Sequence, residues 1–528
     1  MKRPSVRTAA LALFGLSGFS ALLYEVLWFR ALSFMLGSTL YSASTMLGAF
    51  MAGLALGALL GGRLADRLQS PLRALALLEL GIGFAGGLTL FWIYRLPPVY
   101  FWLFQGLHRE PWAFYGGQFA LCFALLLVPT ALMGATLPVM VRLLAEELGS
   151  LGRRTGQAYA VNTLGGLLGA VLGGVLLLPA LGLRLASLVA AGGNFLASAG
   201  FLALAGAERR VWLPAAGFLA LALLSMAGGW RFEDHLANFY LAGRFRSYEE
   251  LRAAQQRERE VFYGEYPQGS VRAYIDGMGF LIIQTGGKME GTPFDDVPNA
   301  MLASYIPVAA HRGRPQKALV IGLGAGWTLR AARRYVPQVD VVEINPGVVE
   351  AARRFGHNRE VLGQARVILD DGRRFLTYAR GRYDIITSEP SYPASSEVTS
   401  LFTREFYRIA LERLNEGGVF SQWLPAWALR RAEAYMMVKT FASVFEHVQV
   451  YQVPISRDLI MIGSAGPLRS PEEVVKAVKA MEHWGFPLEF SLFMGELRVK
   501  ALLRSRGLPL NTDDRPLLEF SVLRNLLR

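Results

Sequence analysis

Seven apolar runs long enough to cross a bilayer fill the first 230 residues, and they constrain the fold more than any other feature. They lie near 9–29, 39–62, 73–94, 113–137, 157–180, 185–205 and 211–229. A hydrocarbon core about 30 Å thick takes roughly 20 helical residues per crossing. Helices satisfy every backbone polar group internally there, as isolated strands cannot. The first run continues into LLYEVLWFR without a small-residue cleavage site and six more runs follow, so it reads as a span rather than a cleaved leader. Residues 1–230 are therefore expected to form a multi-pass α-helical membrane domain of about seven helices, with the cell membrane as its location and the lipid bilayer as its partner.

Two stretches resemble each other, GLALGALLGG at 53–62 and GGLLGAVLGG at 165–174, and each precedes an Arg (Arg73, Arg184) that opens another apolar run. This pattern predicts a three-helix unit used twice, a 3+3 arrangement that in a membrane produces inverted repeats. The Gly and Ala spacing suits close helix packing. GGRLADR at 61–67 is similar to the loop after the second helix of major-facilitator transporters. Glu25, Glu79 and Asn162 lie in or near spans, where polar groups are functional candidates; interhelical hydrogen bonding is the reading preferred for them. Basic residues cluster at the N-terminus (Lys2, Arg3, Arg7) and after the second, fourth and sixth runs, which places the N-terminus in the cytoplasm. Seven crossings would then deliver residue 231 to the outside. PPVYFWLFQGL at 97–107 is too short for a full crossing and reads as a re-entrant candidate.

The net charge of +13 accompanies only 18% charged residues, and many of the Arg residues flank apolar runs. Positive-inside topology accounts for that excess, and nucleic acid is not expected as a partner. The single cysteine, Cys122, lies inside an apolar run, which excludes a disulfide framework. The six His residues form no ligand-spaced cluster, so no metal is expected.

The second half has a different grammar. Residues 231–257 are polar and helical in character and read as a linker. Residues 258–291 alternate and are punctuated by DG, GMG and TGGK, predicting a small antiparallel β-sheet. From 292 to 528 strands alternate with helices: KALVIGLGAGWTLRAARRY, VDVVEINPGVVEAARRF, ARVILDDGRRFLTYA, YDIITSEPSYP and GGVFSQWLP. This predicts a Rossmann-like α/β domain whose ligands bind beyond the carboxyl ends of its parallel strands.

Three features converge there. Gly322, Gly324 and Gly326 form a turn at a helix N-terminus that lets backbone approach a ligand. Glu343 ends the next strand about twenty residues on, where a carboxylate can hold both hydroxyls of a ribose. Asp371 and Gly372 end the third strand, in reach of an adenine edge. Together they favour an adenosine-containing ligand. Trp327 stands where the nucleotide fingerprint has its third Gly, which leans toward S-adenosylmethionine-type ligands over a dinucleotide.

With these motifs in hand, residues 258 to about 450 resemble the spermidine synthase (polyamine aminopropyltransferase) family, and the whole chain looks like its membrane-fused bacterial relatives. The resemblance rests on VIGLGAGWT, VVEINP, LDDGRRFL, YDIITSEPSYP, LFTREFY, GGVFSQWLP and NTDDRPLLEF. It implies decarboxylated S-adenosylmethionine as co-substrate and transfer of its aminopropyl group to an amine. Gly322, Gly324 and Gly326 would line the donor, Glu343 would hold its ribose and Asp371 would face the adenine. The family's D-x-x-x-x-D-x-x-D-P loop reads here Asp384, Glu389, Tyr392, Pro393, so Glu389 takes the catalytic position and Tyr392 replaces an acid. The family's D-E-x-x-Y-x-E segment reads Asp295, Asp296, Val297, Pro298, Asn299, Ala300, Met301, so the acid pair stays while Asn299 and Met301 replace Tyr and Glu. Gln284, Lys288 and Gln422 are further candidates for the acceptor pocket, with solvent-exposed surface positions the competing expectation. A homodimer follows from the resemblance alone.

Two other readings compete. One is methyl or alkyl transfer from S-adenosylmethionine; the other is a transporter or sensor whose second half binds a nucleoside or polyamine without turnover. The donor is a cytosolic metabolite, which places the enzyme domain in the cytoplasm, against the outside location that seven crossings imply.

Overall fold

In the computed structural model, which describes residues 4–37, 40–144, 148–207, 212–226, 245–286, 288–290, 296–391, 393, 396–481, 488–505, 507–519 and 521, the chain divides into two compact units, Met1–Ala253 and Ala254–Arg528. Most of the expected linker falls outside the described residues; its remainder carries the helix Tyr248–Gln255.

The described part of the first unit is built of helices joined by short turns: α1 (Pro4–Leu36), α2 (Leu40–Ala65), α3 (Pro71–Arg95), α4 (Pro97–Leu107), α5 (Pro111–Leu144), α6 (Leu148–Leu172), α7 (Leu178–Leu204) and α8 (Trp212–Met226). Five helical stretches among the described residues are long and apolar enough to cross a membrane, the last being 54 residues from Leu151 to Leu204. At 1.5 Å per residue that stretch would run roughly 80 Å, well beyond one bilayer. It is interrupted by a π-helical segment, Gly173–Leu177, and kinked at Gly182, which has φ 70° and ψ 174°, so it is two helices rather than one. The expected count of seven is corrected: among the described residues the run at 211–229 carries only α8, of 15 residues, about 22 Å of helix and less than a full crossing takes. The stretch 97–107 forms α4, a separate helix that starts on Pro97.

The suspected repeat is visible in the packing. Helix α1 packs on α6 and α7, α5 packs on α2 and α3, and α3 meets α7. Exchanging α1, α2 and α3 for α5, α6 and α7 leaves that set of neighbours unchanged. Gly57 of α2 is pressed on the Ala131 carbonyl, and Gly169 of α6 on that of Phe19, each member lying 112 residues from its counterpart. No side chain fits at either contact. Two of the polar candidates, Glu79 and Asn162, bridge helices: Asn194 Nδ2 donates to Glu79 Oε2 at 2.7 Å, and Asn162 Nδ2 to the Phe14 carbonyl at 3.0 Å. Both satisfy groups that hydrocarbon would leave unpaired.

The second unit opens with an antiparallel sheet of β1 (Arg259–Gly264), β2 (Val271–Ile275), β3 (Leu281–Thr285) and β4 (Lys288–Glu290). A larger sheet holds β5 (Lys317–Ile321), β6 (Gln338–Glu343), β7 (Arg366–Leu369), β8 (Tyr383–Ser388), β9 (Leu414–Leu424), β10 (His447–Val453), β11 (Asp458–Ser464) and β12 (Ser491–Met494). Its order is β12-β10-β11-β9-β8-β5-β6-β7. Strands β5 to β9 pair in parallel, while β11 inserts antiparallel between β9 and β10. Strands β5 and β6 are almost wholly buried; β5 is apolar after Lys317, while β6 also buries Asp340 and ends on Glu343. After β7 the chain crosses back beyond β5 to form β8. The crevice at the carboxyl ends of β5 and β8 is therefore the topological switch point, where such sheets bind ligands.

Candidate active site

The site is assembled at that crevice from the loops after β5, β6 and β8. Gly322 has φ 92°, a conformation that L side chains rarely adopt, and a methyl group on it would come within 2.5 Å of the Glu389 carbonyl oxygen. Gly326, at φ 83°, is closed off by the Asn358 side chain, whose Nδ2 donates to the carbonyls of Ala325 and Ala352 at 2.9 Å each. Gly324 borders open space. The turn is thus braced on both flanks and open at its centre. It leads into the helix Trp327–Tyr335.

Glu343 ends β6 and faces this turn. Its Oε2 accepts from the Leu323 N–H at 3.0 Å and its Oε1 from the Asn345 N–H at 2.9 Å. Burial raises its pKa despite these bonds. Each oxygen keeps a further lone pair for a ligand hydroxyl. Asp371 is the N-cap of the helix Gly372–Tyr378, accepting from the Arg374 N–H at 2.7 Å. That capping role anchors the loop and occupies one of its oxygens. Gly372 lies against the Ile321 side chain with no room for a Cβ.

Glu389 follows β8, its N–H donating to the Ile321 carbonyl at 3.0 Å. The Thr328 hydroxyl, from the first turn of the helix after the glycines, donates to Glu389 Oε2. Loss of hydration, together with the neighbouring carboxylates Asp296, Asp458 and Glu290, pushes the Glu389 carboxyl up to about 8, against the lowering by Thr328. Such a carboxyl exchanges a proton near neutral pH.

Lys288 on β4 donates to Ser391 Oγ at 2.7 Å and lies 3.6 Å from Glu290, while Ser391 donates in turn to Glu290. Desolvation lowers the Lys288 pKa, opposed by Glu290 and Asp296. This group ties the small sheet to the loop carrying Glu389. The two glutamines are not surface residues: Gln284 is buried in β3 opposite Arg272, and Gln422 is fully buried in β9 opposite Ser388. Gln422 Nε2 donates to the Ser388 carbonyl at 3.3 Å and to the Trp423 carbonyl at 3.0 Å. Asp296 opens the helix Asp296–Ala310. Asp295 and Tyr392 lie outside the described residues.

The fold also recruits groups that sequence reasoning passed over. Glu290 and Thr328 adjoin motifs already singled out, so proximity in sequence could have flagged them. Asp458 could not be found so. It starts β11, 2% exposed, and its Oδ2 accepts from Asn299 Nδ2 at 2.6 Å across 159 residues of chain. Burial raises the Asp458 carboxyl to about 7, lowered in part by Trp423, Ser456 and Asn299.

The spermine/spermidine synthase domain model matches residues 299–461. The polyamine aminopropyltransferase of Serratia proteamaculans is 32% identical over 180 residues, 33% of this chain and 62% of that protein. The enzyme of the same name from Yersinia pestis is 30% identical over 232 residues, 42% of this chain and 73% of that protein. The chain thus spans a little under two thirds of the first relative and more of the second. The spermidine synthase of Thermotoga maritima aligns in structure with a TM-score of 0.37 and 22% identity, covering 46% of this chain and 87% of that one.

Proposed function

The chain belongs to the spermine/spermidine synthase family, and on that premise we propose that it transfers an aminopropyl group from decarboxylated S-adenosylmethionine to an amine. The observation that carries the reading is Glu389. A carboxyl raised to about 8 stands at the switch point, backed against the glycine turn that would receive the adenosyl donor.

A crevice bordered by Glu343, Glu389, Asp296 and Glu290 repels a pyrophosphate and favours a sulfonium cation. The turn at Gly322, Gly324 and Gly326 would admit the adenosyl group closely, with Glu343 on the ribose hydroxyls and the Asp371–Gly372 loop beside the base. In the transfer, the amine lone pair forms a bond to the carbon next to sulfur. The sulfur–carbon bond breaks with its electrons going to sulfur, so the leaving group departs neutral. The protonated secondary amine then gives its proton to Glu389. A base with a pKa close to working pH suits that step, and Thr328 keeps its oxygen oriented. The chain's task is otherwise to hold an uncharged amine in line with the departing sulfur.

The helical unit serves as a membrane anchor in this reading, supported by the five long apolar stretches among its described residues, the last of which is two helices divided at Gly182. Six crossings from a cytoplasmic N-terminus, with α8 too short to complete a seventh, return the second unit to the cytoplasm, where the donor is made.

The test is incubation of the full-length protein in detergent with donor labelled in the aminopropyl or the methyl group and a panel of amines. Aminopropyl product supports the proposal. Methyl product from ordinary S-adenosylmethionine overturns it in favour of methyl transfer, and donor binding without product overturns it in favour of a sensor.

A further inference from the structure

The helical unit buries a carboxyl that the proposed reaction does not use. Glu79 lies eight residues, or about 12 Å, from the start of α3 and is fully buried. Two side chains reach it: Asn194 of α7, whose Nδ2 donates to Oε2 at 2.7 Å, and Ser17 of α1. Ser198 of α7 donates to the Ala76 carbonyl of α3 at 2.7 Å, and Tyr24 of α1 to the Gly83 carbonyl at 3.3 Å, so three helices are tied together around the carboxyl. Two further oxygens, Asn194 Oδ1 and Ser20 Oγ, are buried without a hydrogen bond. Ser20 abuts Gly193, the residue before Asn194, so closely that no Cβ fits between them.

Neither Asn194 nor Ser17 carries a charge. The basic group nearest along the chain, Arg73, is six residues off, about 9 Å up the α3 axis. Leu132 of α5 lies against Gly81 and so marks the level of Glu79 there. The other titratable groups of the helices packed on α3 are Arg7, Tyr24, Glu25 and Arg30 of α1, Tyr115, Cys122 and Arg142 of α5, and Arg184 of α7. Each is seven or more residues along its helix from Ser17, Leu132 or Asn194, and α8 carries none. An ionised Glu79 is therefore left uncompensated by the protein, a costly state inside a bilayer. Packing does not require the carboxyl. Arg73 and Arg184, Gly81 and Gly192, and Phe84 and Phe195 each stand 111 positions apart, and the rings of Phe84 and Phe195 meet edge to face at 5.2 Å. The repeat axis thus runs through that pair. The same spacing turns Glu79 and Asn194 into Ala190 and Gly83, so the counterpart contact is made with nothing to ionise.

We propose that Glu79, with Asn194 and Ser17 beside it, is a binding site for an exchangeable monovalent cation, a proton or a sodium ion, which gives the helical unit a role beyond anchoring. The donors gathered there are carboxylate, amide and hydroxyl oxygens, the set that suits a hard cation. Their place, on the contact between the two halves of the repeat, is where inverted-repeat membrane proteins hold coupling ions. The inference rests on the membrane reading of this unit and is independent of the aminopropyl transfer.

The experiment is infrared difference spectroscopy of the full chain in detergent, wild type minus Glu79→Gln. Glutamine keeps the size and still accepts from Asn194, and the subtraction cancels Glu389 and Asp458. In sodium-free choline buffer at about pH 6 the difference is expected to hold one protonated-carboxyl stretch that shifts in D2O. Loss of most of that band when sodium replaces choline at fixed pH assigns the cation as sodium. The wild-type melting temperature should then rise with sodium while that of the variant stays level. Loss of the band only as pH is raised to about 9 assigns the cation as a proton. A band unchanged by both treatments makes Glu79 a permanently neutral hydrogen-bonding group and overturns the inference. So does the absence of a Glu79 band in the starting buffer. The double variant Glu79→Ala with Asn194→Gly copies the counterpart contact and supplies a second reference spectrum, so the reading does not hang on the folding of Glu79→Gln.

Discussion

The α-carbon of Gly322 is packed against the backbone carbonyl of Glu389, so the turn that would receive the donor and the loop that carries the carboxyl share one contact. Gly322→Ala is expected to displace that loop, because the added methyl meets backbone that cannot rotate away and φ is 92°. A cost of about 1–3 kcal/mol is expected, from strain and overlap together. Thermal melting measures it, and adenosyl-ligand affinity should fall in the same variant. Unchanged melting and affinity would refute the contact.

Glu389→Gln should reduce turnover by about 10²–10⁴-fold, the range of a lost general base, while the fold persists because glutamine can still accept from Thr328. Steady-state rates at saturating amine and donor give the comparison. Rates equal to wild type would remove Glu389 from the proton transfer.

The same carboxyl predicts a pH dependence of stability. Glu389 and Asp458 have folded pKa values raised to about 8 and about 7, so between the ordinary carboxyl range and those values the native state binds more protons than the unfolded one. Their contribution to stability is fully present below the ordinary carboxyl range, declines steadily as pH rises above it and is lost by about pH 7 to 8. Melting temperature of the full chain should decline over that window, and Glu389→Gln should flatten the decline. Turnover should move oppositely, rising through about pH 8 as the base form appears.

Gly57 and Gly169 occupy equivalent helix contacts, so Gly57→Val and Gly169→Val should harm the helical unit alike. Each forces two helices apart, at about 1–3 kcal/mol or more for an overpacked site. Detergent melting curves of the two variants should shift by similar amounts. A silent variant at either position would contradict the repeat.

A reporter active on one side only, fused at the C-terminus, should register the cytoplasm. Activity in the outside compartment would instead require α8 to complete a crossing.

Much of this protein was legible in one dimension because the physics behind it is local. Apolar runs of bilayer length announced the helices, and the paired Gly-rich stretches announced their repeat. The alternation of apolar strands with helices, with Gly322, Glu343, Asp371 and Glu389 at strand ends, announced the nucleotide-type sheet. The count of seven followed from hydropathy registering apolar length, whereas the described part of the last run is a helix of 15 residues.

What only tertiary structure decided concerns residues far apart in the chain. Gln284 and Gln422 are long polar side chains of a kind mostly found in water, yet the fold buries them because strand pairing supplies their surroundings. Asp371 caps a helix, a role fixed by how the loop turns. Asn299 and Asp458 are 159 positions apart, and no spacing rule joins them. They meet because β11 inserts beside β9, under the helix that Asp296 opens. The amino-acid order determines which groups can ionise, cap or cross a bilayer; which carboxyls share one space, and so hold each other's protons, depends on long-range strand order.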